Sequence, residues 1–228
     1  MEIYIDTANI SDIKWALSTG VASGVTTNPS LMSKERKSKY DEHLRCLIEA
    51  VMATRPGVSV SVEVTEIEPE LIVEQASKLR QVLHYDNLAI KIPVAYNGRD
   101  YLDVVHAVSR GGAVNCTACM NSVQAASAAY AGASYVSLFY NRIRDAKGDP
   151  DLEIKNTKSL ISTRQSRIIA GSIRSCQDIA DAGVSGADIV TVSPKVLRAS
   201  LQHPKTDEAV GQFISDIRTW MKGSSDAL

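Results

Sequence analysis

The sequence has few cysteines, no excess of charge of either sign and no long apolar run. Four cysteines are scattered over 228 residues, which is typical of a reducing compartment rather than of disulfide-stabilised secreted domains. The 25 basic and 26 acidic residues nearly balance, so neither a nucleic-acid-binding face nor an acidic tail is expected. No apolar run approaches the roughly 20 residues that span a bilayer, and strand-like residues follow Met1-Glu2 directly, without the charged and apolar regions expected of a secretory leader. We therefore expect a cytoplasmic protein without nucleic-acid or membrane partners.

Motifs for metals and cofactors are equally scarce. The one C-x-x-C motif, Cys116–Cys119, follows an apolar stretch, whereas a redox motif needs a helix N-terminus to stabilise its thiolate. No second C-x-x-C or nearby histidine completes a zinc site, and the four histidines lack the H-E-x-x-H spacing. We therefore expect neither a metal nor an organic cofactor.

Strand-like and helix-like periodicities alternate along the whole chain. For example, Glu2–Asp6 alternates as a strand, and Ile10, Ile13 and Leu17 then follow the helical period. The predicted strands cover residues 2–6, 24–28, 58–63, 87–94, 113–116, 135–137, 167–170 and 188–191. The predicted helices cover residues 9–19, 40–53, 69–83, 98–109, 121–131, 151–163, 176–182, 194–201 and 207–221, with one long polar loop at 144–150.

Eight strands, each followed by a helix, indicate a single (β/α)8 TIM barrel that spans residues 1–228. A doubly wound open sheet is the alternative, but no G-x-G-x-x-G follows the first strand to favour it. The extra C-terminal helix, at about 207–221, is amphipathic, with Phe213 and Trp220 in its apolar stripe. This helix either packs on the barrel wall or contacts a neighbouring subunit.

The fourth predicted strand carries one lysine, Lys91, among apolar residues. A lysine in a buried strand is costly unless it is paired or neutral. Burial disfavours the ammonium form, and the free amine is a usable nucleophile. The alternative is a lysine at a strand end whose amine reaches water.

Nearly every predicted strand ends in a polar residue, although the strand interiors are apolar. The strand ends and the loops directly after them carry Asp6, Asn28, Glu63, Lys91, Thr117, Ser137, Ser172, Arg174, Ser193 and Lys195. Asp6 or Asn28 taken alone has another role, because either residue can cap the following helix. In a (β/α)8 barrel, however, the C-terminal strand ends meet at one face and form the active site. We therefore expect this set to surround Lys91.

The set predicts Schiff-base chemistry. A lysine amine can attack a ketone to form an iminium, and a carboxylate such as Asp6 or Glu63 can remove the proton that allows a neighbouring C–C bond to break. Arg142, Ser172 and Arg174 follow strands six and seven and suit a phosphate. The alternative for each arginine is a surface salt bridge.

Eight motifs in this order resemble the short transaldolases, a family that includes the fructose-6-phosphate aldolases. They are Ile5–Asn9, Gly24–Ser30, Val62–Val64, Ile90–Pro93, Asn115–Thr117, Tyr135–Ser137 with Arg142, Gly171–Arg174 and His203–Asp207. The resemblance implies a (β/α)8 barrel, a ketose phosphate donor and an aldose phosphate acceptor. It also implies a homo-oligomer, a pentamer or decamer formed through the C-terminal helix.

The resemblance also implies a role for each site residue. Lys91 would form the Schiff base and Asp6 would act as acid and base. Glu63 and Thr117 would hold a proton-shuttling water, and Asn28 and Ser137 would bind the donor. The phosphate would be held by Arg142, Ser172 and Arg174.

Two positions separate two activities within the family. The aldolases tend to carry Gln in place of Glu63 and Tyr in place of Phe139, and a tyrosine hydroxyl helps to protonate the enamine. Phe139 has no hydroxyl, which favours transfer to an acceptor over release of free dihydroxyacetone. Departures from the family pattern at Ala118–Met120, Leu138 and Tyr140–Asn141 leave the acceptor open. The alternatives are an aldolase of the same mechanism and an inactive sugar-phosphate-binding barrel.

Overall fold

The strand and helix units close into a parallel barrel in the computed structural model, which describes residues 1–222. The barrel strands are β1 (Glu2–Asp6), β2 (Ala22–Thr26), β3 (Ser59–Glu63), β4 (Leu88–Pro93), β5 (Val114–Cys119), β6 (Tyr135–Phe139), β7 (Arg167–Gly171) and β8 (Ile189–Val192). Strand β1 pairs in parallel with both β2 and β8. This closure confirms the (β/α)8 barrel and rules out the open sheet.

Helices surround the barrel between successive strands. They are α1 (Ile10–Ser18), α2 (Pro29–Met32), α3 (Tyr40–Thr54), α4 (Pro69–Leu83), α5 (Leu102–Ser109), α6 (Ser122–Ala131), α7 (Tyr140–Asp145), α8 (Pro150–Leu160), α9 (Cys176–Val184), α10 (Pro194–Ser200) and α11 (Pro204–Lys222). Except in α2 and α11, which bury no residue, the apolar faces of these helices pack on the strands, and one continuous, mainly aliphatic core fills the space between the barrel and the helices. None of the helices within residues 1–222 is both long and apolar enough to cross a membrane.

The predicted helix at 98–109 is too long at its start. Ala95–Tyr96 pairs with Arg99–Asp100 as a short antiparallel hairpin, and α5 begins only at Leu102. The hairpin turn contains Asn97 and Gly98, which both have positive φ values, of 51° and 79°. Such an Asn-Gly pair forms a tight hairpin turn and cannot continue a helix.

The predicted polar loop at 144–150 is also shorter than expected. Helix α7 occupies its first part and α8 begins at Pro150, so the connection is only residues 146–149. The Asp149 carboxylate accepts hydrogen bonds from the backbone N–H groups of Asp151 and Leu152. This N-cap and the proline at the first helical position place the start of α8 at Pro150, one residue before the predicted start at 151.

The C-terminal helix exists as predicted, but it begins earlier, at Pro204. It does not pack on the barrel wall, because none of its residues is buried. Its apolar side chains stay open to solvent: Phe213 is 67% exposed and Trp220 is 71% exposed. Of the two expected arrangements, packing on the barrel wall is wrong for the described residues, and contact with a neighbouring subunit stays a prediction.

Candidate active site

A cavity of about 400 Å³ opens at the C-terminal end of the barrel. It brings together the residues that were predicted for the site, except Arg174, Ser193 and Lys195. Ser193 instead caps α10, and Lys195 is exposed on that helix. Its lining comprises Asp6, Thr26, Asn28, Pro29, Ser30, Glu63, Lys91, Thr117, Ser137, Phe139, Arg142, Gly171, Ser172 and Thr191. The parallel strands cause this convergence, since each strand delivers its last residues to the same face of the barrel.

Lys91 is buried at the base of this cavity, with its side chain 7% exposed. Its Nζ lies 3.3 Å from Glu63 Oε2 and donates a hydrogen bond of 3.0 Å to Thr27 O. Glu63 and Lys91 are register partners on neighbouring strands, which holds the two side chains side by side. The amine therefore does not extend to bulk water, and a carboxylate stands within reach of it.

Asp6 lies at the end of β1, with one carboxylate oxygen, Oδ1, bound by Thr26 Oγ1 at 2.7 Å. Thr26 Oγ1 in turn lies 2.6 Å from Thr191 Oγ1. Burial raises the pKa of the Asp6 carboxyl, and the Lys91 charge, the Thr26 hydrogen bond and the Lys34 charge oppose this rise. A carboxylate with a raised pKa is a stronger base, which suits it to accept a proton from a substrate hydroxyl.

Thr26 and Thr191 also line the cavity but were not predicted from the sequence. Both are threonines inside short apolar strands, where a β-branched residue is expected for its strand propensity alone. The sequence does contain a signal for both threonines, because Thr26 is two residues before Asn28 and Thr191 is two residues before Ser193. Side chains two apart along an extended chain share a face.

Thr117 is buried beneath the cavity, at 1% exposure. Its Oγ1 has no hydrogen-bond partner within residues 1–222, and the same is true of Thr27 Oγ1. A buried hydroxyl almost always finds a partner. The Thr117 hydroxyl is thus free to bind a water molecule or a substrate atom in the cavity.

Ser137 is held by a chain of buried polar groups. Its Oγ donates to Asn115 Oδ1 at 2.7 Å, and Asn115 Nδ2 donates to Ser61 Oγ at 3.2 Å. Asn115 is the register partner of Lys91 and has no exposed surface. These hydrogen bonds fix the Ser137 side chain inside the barrel. No role was predicted for Asn115 from the sequence.

Asn28 both lines the cavity and caps α2. Its Oδ1 accepts a hydrogen bond of 3.0 Å from Leu31 N, so capping α2 does not exclude Asn28 from the cavity lining. Asp6 caps no helix, because Asn9 fills that position for α1. Phe139 ends β6 beside Gly171 and adds an apolar surface to the cavity.

The two candidate phosphate arginines occupy different environments. Arg142 lies on α7 and lines the cavity, as does Ser172 after β7. Arg174 instead makes a two-point ion pair with Asp145, at 2.8 and 2.5 Å, and does not line the cavity. This pair is the surface salt bridge that stood as the alternative for Arg174. The backbone N–H of Arg174 is also engaged, since it donates a hydrogen bond of 2.9 Å to Asp178 Oδ2.

The described residues contain no group of three or more His, Cys, Asp or Glu side chains that could hold a metal ion. Cys116 and Cys119 are buried free thiols. The neighbouring Cys116 thiol and burial raise the pKa of Cys119, which disfavours its thiolate. A further cavity, of about 330 Å³, lies between α3 and α4 and contains none of the predicted site residues.

Known proteins match nearly the whole length of the chain. A family described as transaldolase/fructose-6-phosphate aldolase matches residues 3–226. A protein named "Probable transaldolase" from Thermoplasma volcanium is 36% identical over 99% of this chain and 98% of its own length. Proteins of the same name from Dehalococcoides mccartyi and Thermus thermophilus are 36% and 34% identical, over 97% and 95% of this chain and 100% and 97% of their own lengths.

Solved structures show the same fold at low sequence identity. Thiamine phosphate pyrophosphorylase from Pyrococcus furiosus superposes with a TM-score of 0.58 and 11% identity, over 84% of this chain and 85% of that one. A structure named native KDPGal gives a TM-score of 0.57 and 15% identity, over 83% and 80%. At these identities the likeness concerns the barrel alone.

Proposed function

The chain belongs to the transaldolase/fructose-6-phosphate aldolase family, and on that premise we propose that it transfers a dihydroxyacetone unit from a ketose phosphate to an aldose phosphate through a Schiff base on Lys91. The observation that carries the proposal is the buried amine of Lys91, 3.3 Å from Glu63 at the base of the cavity. The donor is of the fructose 6-phosphate or sedoheptulose 7-phosphate type.

In the proposed reaction, Lys91 Nζ attacks the donor ketone, and loss of water gives an iminium. Asp6 removes the proton of the C4 hydroxyl, the C3–C4 bond breaks, and its electron pair moves into the iminium to give an enamine. The first aldose phosphate leaves. The enamine then adds to the acceptor aldehyde, Asp6 returns the proton, and water releases the new ketose from Lys91.

Glu63 and Thr117 serve the steps in which water leaves and returns. Glu63 Oε2 is within 3.3 Å of the reacting amine, and the buried Thr117 hydroxyl lacks a partner in the described chain. Together they can hold one water beside Nζ and pass protons through it. Asn28 and Ser137 bind the donor hydroxyl groups from opposite sides of the cavity.

The phosphate end of the substrate lies against Arg142 and Ser172, which line the cavity. Arg174 can bind the phosphate only if its guanidinium gives up the ion pair with Asp145. Because both guanidinium and carboxylate are about half exposed, this surface ion pair is weak and such an exchange costs little.

Transfer is favoured over release because Phe139, at the cavity wall, has no hydroxyl to protonate the enamine. The enamine therefore persists until an aldehyde arrives. An assay with fructose 6-phosphate alone separates the two activities: a transaldolase releases little free dihydroxyacetone without an acceptor, whereas an aldolase releases it in proportion to the donor consumed.

The assembly and the compartment complete the proposal. The exposed apolar face of α11 supports a homo-oligomer of the pentamer or decamer type. The free cysteines of the chain, Cys46, Cys116, Cys119 and Cys176, support a reducing compartment such as the cytoplasm.

Borohydride reduction in the presence of fructose 6-phosphate tests the covalent step. We expect an adduct on Lys91 by peptide mass spectrometry, and loss of at least about 10³-fold in turnover for Lys91→Ala, as expected when a nucleophile is removed. Lys195→Ala is the matched control, since Lys195 is an exposed lysine outside the cavity. A fully active protein that is never labelled would refute the mechanism, and failure of every ketose donor to react would indicate an inactive sugar-phosphate-binding barrel.

A further inference from the structure

A buried polar cluster lies behind the phosphate end of the cavity. Asn141, on α7, is 4% exposed, and Asp178, in the first turn of α9, is 3% exposed. Neither residue lines the cavity. Asn141 directly precedes Arg142, however. Asp178 accepts a hydrogen bond from the backbone N–H of Arg174, in the loop that also carries Ser172.

Asp178 is held as a carboxylate by four donors. Its Oδ2 accepts from Asn141 Nδ2 at 2.7 Å, Arg174 N at 2.9 Å and Ser175 N at 3.0 Å, and its Oδ1 accepts from Arg144 Nη1 at 2.9 Å. Burial favours the neutral form, but these hydrogen bonds outweigh it and lower the pKa of Asp178 to about 2. The cluster is therefore charged and fully bonded at neutral pH.

The loop that this cluster holds has an unfavourable backbone conformation. Ser172 has φ of 59°, in the left-handed region that non-glycine residues rarely adopt. Its carbonyl oxygen accepts a hydrogen bond of 2.9 Å from Asn141 Nδ2. A strained residue of this kind persists only where its surroundings fix it, and Asn141 supplies that contact from another helix.

We propose that Asn141 is a positioning residue for the phosphate end of the substrate. Through its hydrogen bonds to Ser172 O and Asp178, Asn141 holds Ser172 at a fixed distance from Arg142. The inference rests on the proposed function, because it assigns a phosphate to that end of the cavity. Asn141 itself touches no substrate. It fixes the distance between two groups that do, which reduces the ordering needed when a phosphate binds.

The effect is confined to substrates that carry a phosphate. In Asn141→Leu, a change of similar volume without donors, we expect the KM for fructose 6-phosphate to rise about 10- to 100-fold, as for a loosely held binding group. With unphosphorylated fructose or dihydroxyacetone as donor, borohydride trapping on Lys91 and kcat stay within about twofold, because Asn141 neither lines the cavity nor contacts the reacting amine.

Tyr140→Phe is the matched control. Tyr140 is also a buried residue of α7, and the change removes its hydrogen bond of 2.8 Å to Asp151 without touching the 172–178 loop. We expect this variant to keep the KM for fructose 6-phosphate. If Asn141→Leu does not fold, Arg144→Gln loosens the same cluster from a side chain that is 48% exposed, and a smaller rise in KM is expected.

Inorganic phosphate separates this inference from the proposed function. Calorimetric titration with phosphate requires no catalysis, and we expect about tenfold weaker binding to Asn141→Leu than to the unaltered protein and to Tyr140→Phe. If no Schiff base forms but this difference is found, only the proposed reaction fails. An equal loss for phosphorylated and unphosphorylated donors, or unchanged phosphate binding, would overturn the positioning role.

Discussion

At the scale of single residues, the site is a set of polar groups whose properties depend on their neighbours. Asp6 is the clearest case: burial raises the pKa of its carboxyl, while Thr26, Lys91 and Lys34 each lower it. In the proposed reaction Asp6 acts as a base and must be ionised, so we expect its pKa to set the acidic edge of activity. We therefore expect the Thr26 hydroxyl, which lies between Asp6 and Thr191, to influence the working pH range.

Thr26→Val tests this control. The change removes the hydrogen bond that stabilises the Asp6 carboxylate, so the pKa of Asp6 rises further and the acidic limb of the kcat/KM profile moves to higher pH. A hydrogen bond to a charged group contributes about 1.5–3 kcal/mol, so we expect kcat/KM on the acidic limb to fall about 10- to 150-fold. The measurement is the pH profile of fructose 6-phosphate turnover.

Thr191→Val is the control for this prediction, since it removes the outer threonine and leaves the bond between Thr26 and Asp6 in place. A smaller shift is expected for it, and Thr26→Ser should restore the original profile. An unchanged acidic limb in Thr26→Val would mean that Asp6 does not set it.

At the scale of elements, the two ends of the barrel have different tasks. The C-terminal strand ends carry the polar site, and Tyr4 packs with Ile169 and Ile189 towards the opposite end. Strand β1 shifts register against β2 between Ile3 and Tyr4, where the Tyr4 ring lies over Gly24. A side chain at position 24 would occupy the space that this ring fills.

Gly24→Ala is expected to destabilise the barrel. An added Cβ would lie 2.5 Å from the Tyr4 ring, and that ring is buried and cannot move away. Overpacking of this kind costs about 1–3 kcal/mol. Urea unfolding measures the change in the free energy of unfolding.

Gly211→Ala is the matched control, because no atom lies within 4 Å of a Cβ added at that helical position. It should be neutral or stabilise α11 by up to about 1 kcal/mol, the usual difference between alanine and glycine in a helix. Equal stability of the two variants would show that Tyr4 does not fill the space at Gly24.

At the scale of the whole molecule, α11 extends from the barrel with an apolar face that the chain itself does not cover. Val210, Phe213, Ile214, Ile217 and Trp220 are between 42% and 71% exposed. These residues recur at helical spacing and form one stripe. Contiguous exposed apolar surface of this kind is typical of a contact between molecules.

Trp220→Glu should therefore shift the protein to smaller species, because a charge would be buried in the contact. Light scattering coupled to size exclusion measures the mass. Thr219→Glu is the control, since residue 219 lies on the opposite face of the helix from the stripe. If the unaltered protein has the mass of one chain, α11 does not form an oligomer under those conditions.

Much of this architecture can be predicted from the sequence alone. The alternation of strand and helix periods predicts the barrel, and the polar residues that end its strands predict which side chains meet around Lys91. Both inferences depend on local patterns: hydrophobic period reports which face of an element is buried, and parallel strands necessarily collect their C-terminal ends. Asn97-Gly98 also predicts a turn, but the apolar pattern that follows it masked the hairpin.

The contacts between side chains were decided only by the tertiary structure. Thr26 and Thr191 are 165 residues apart, and no local pattern relates them. The same holds for Asn141 with Asp178, 37 residues apart, and for the pairing of Arg174 with Asp145, which takes that guanidinium out of the cavity. Residue type and spacing specify where a polar group can lie, but its partner depends on how the barrel brings distant strand ends together.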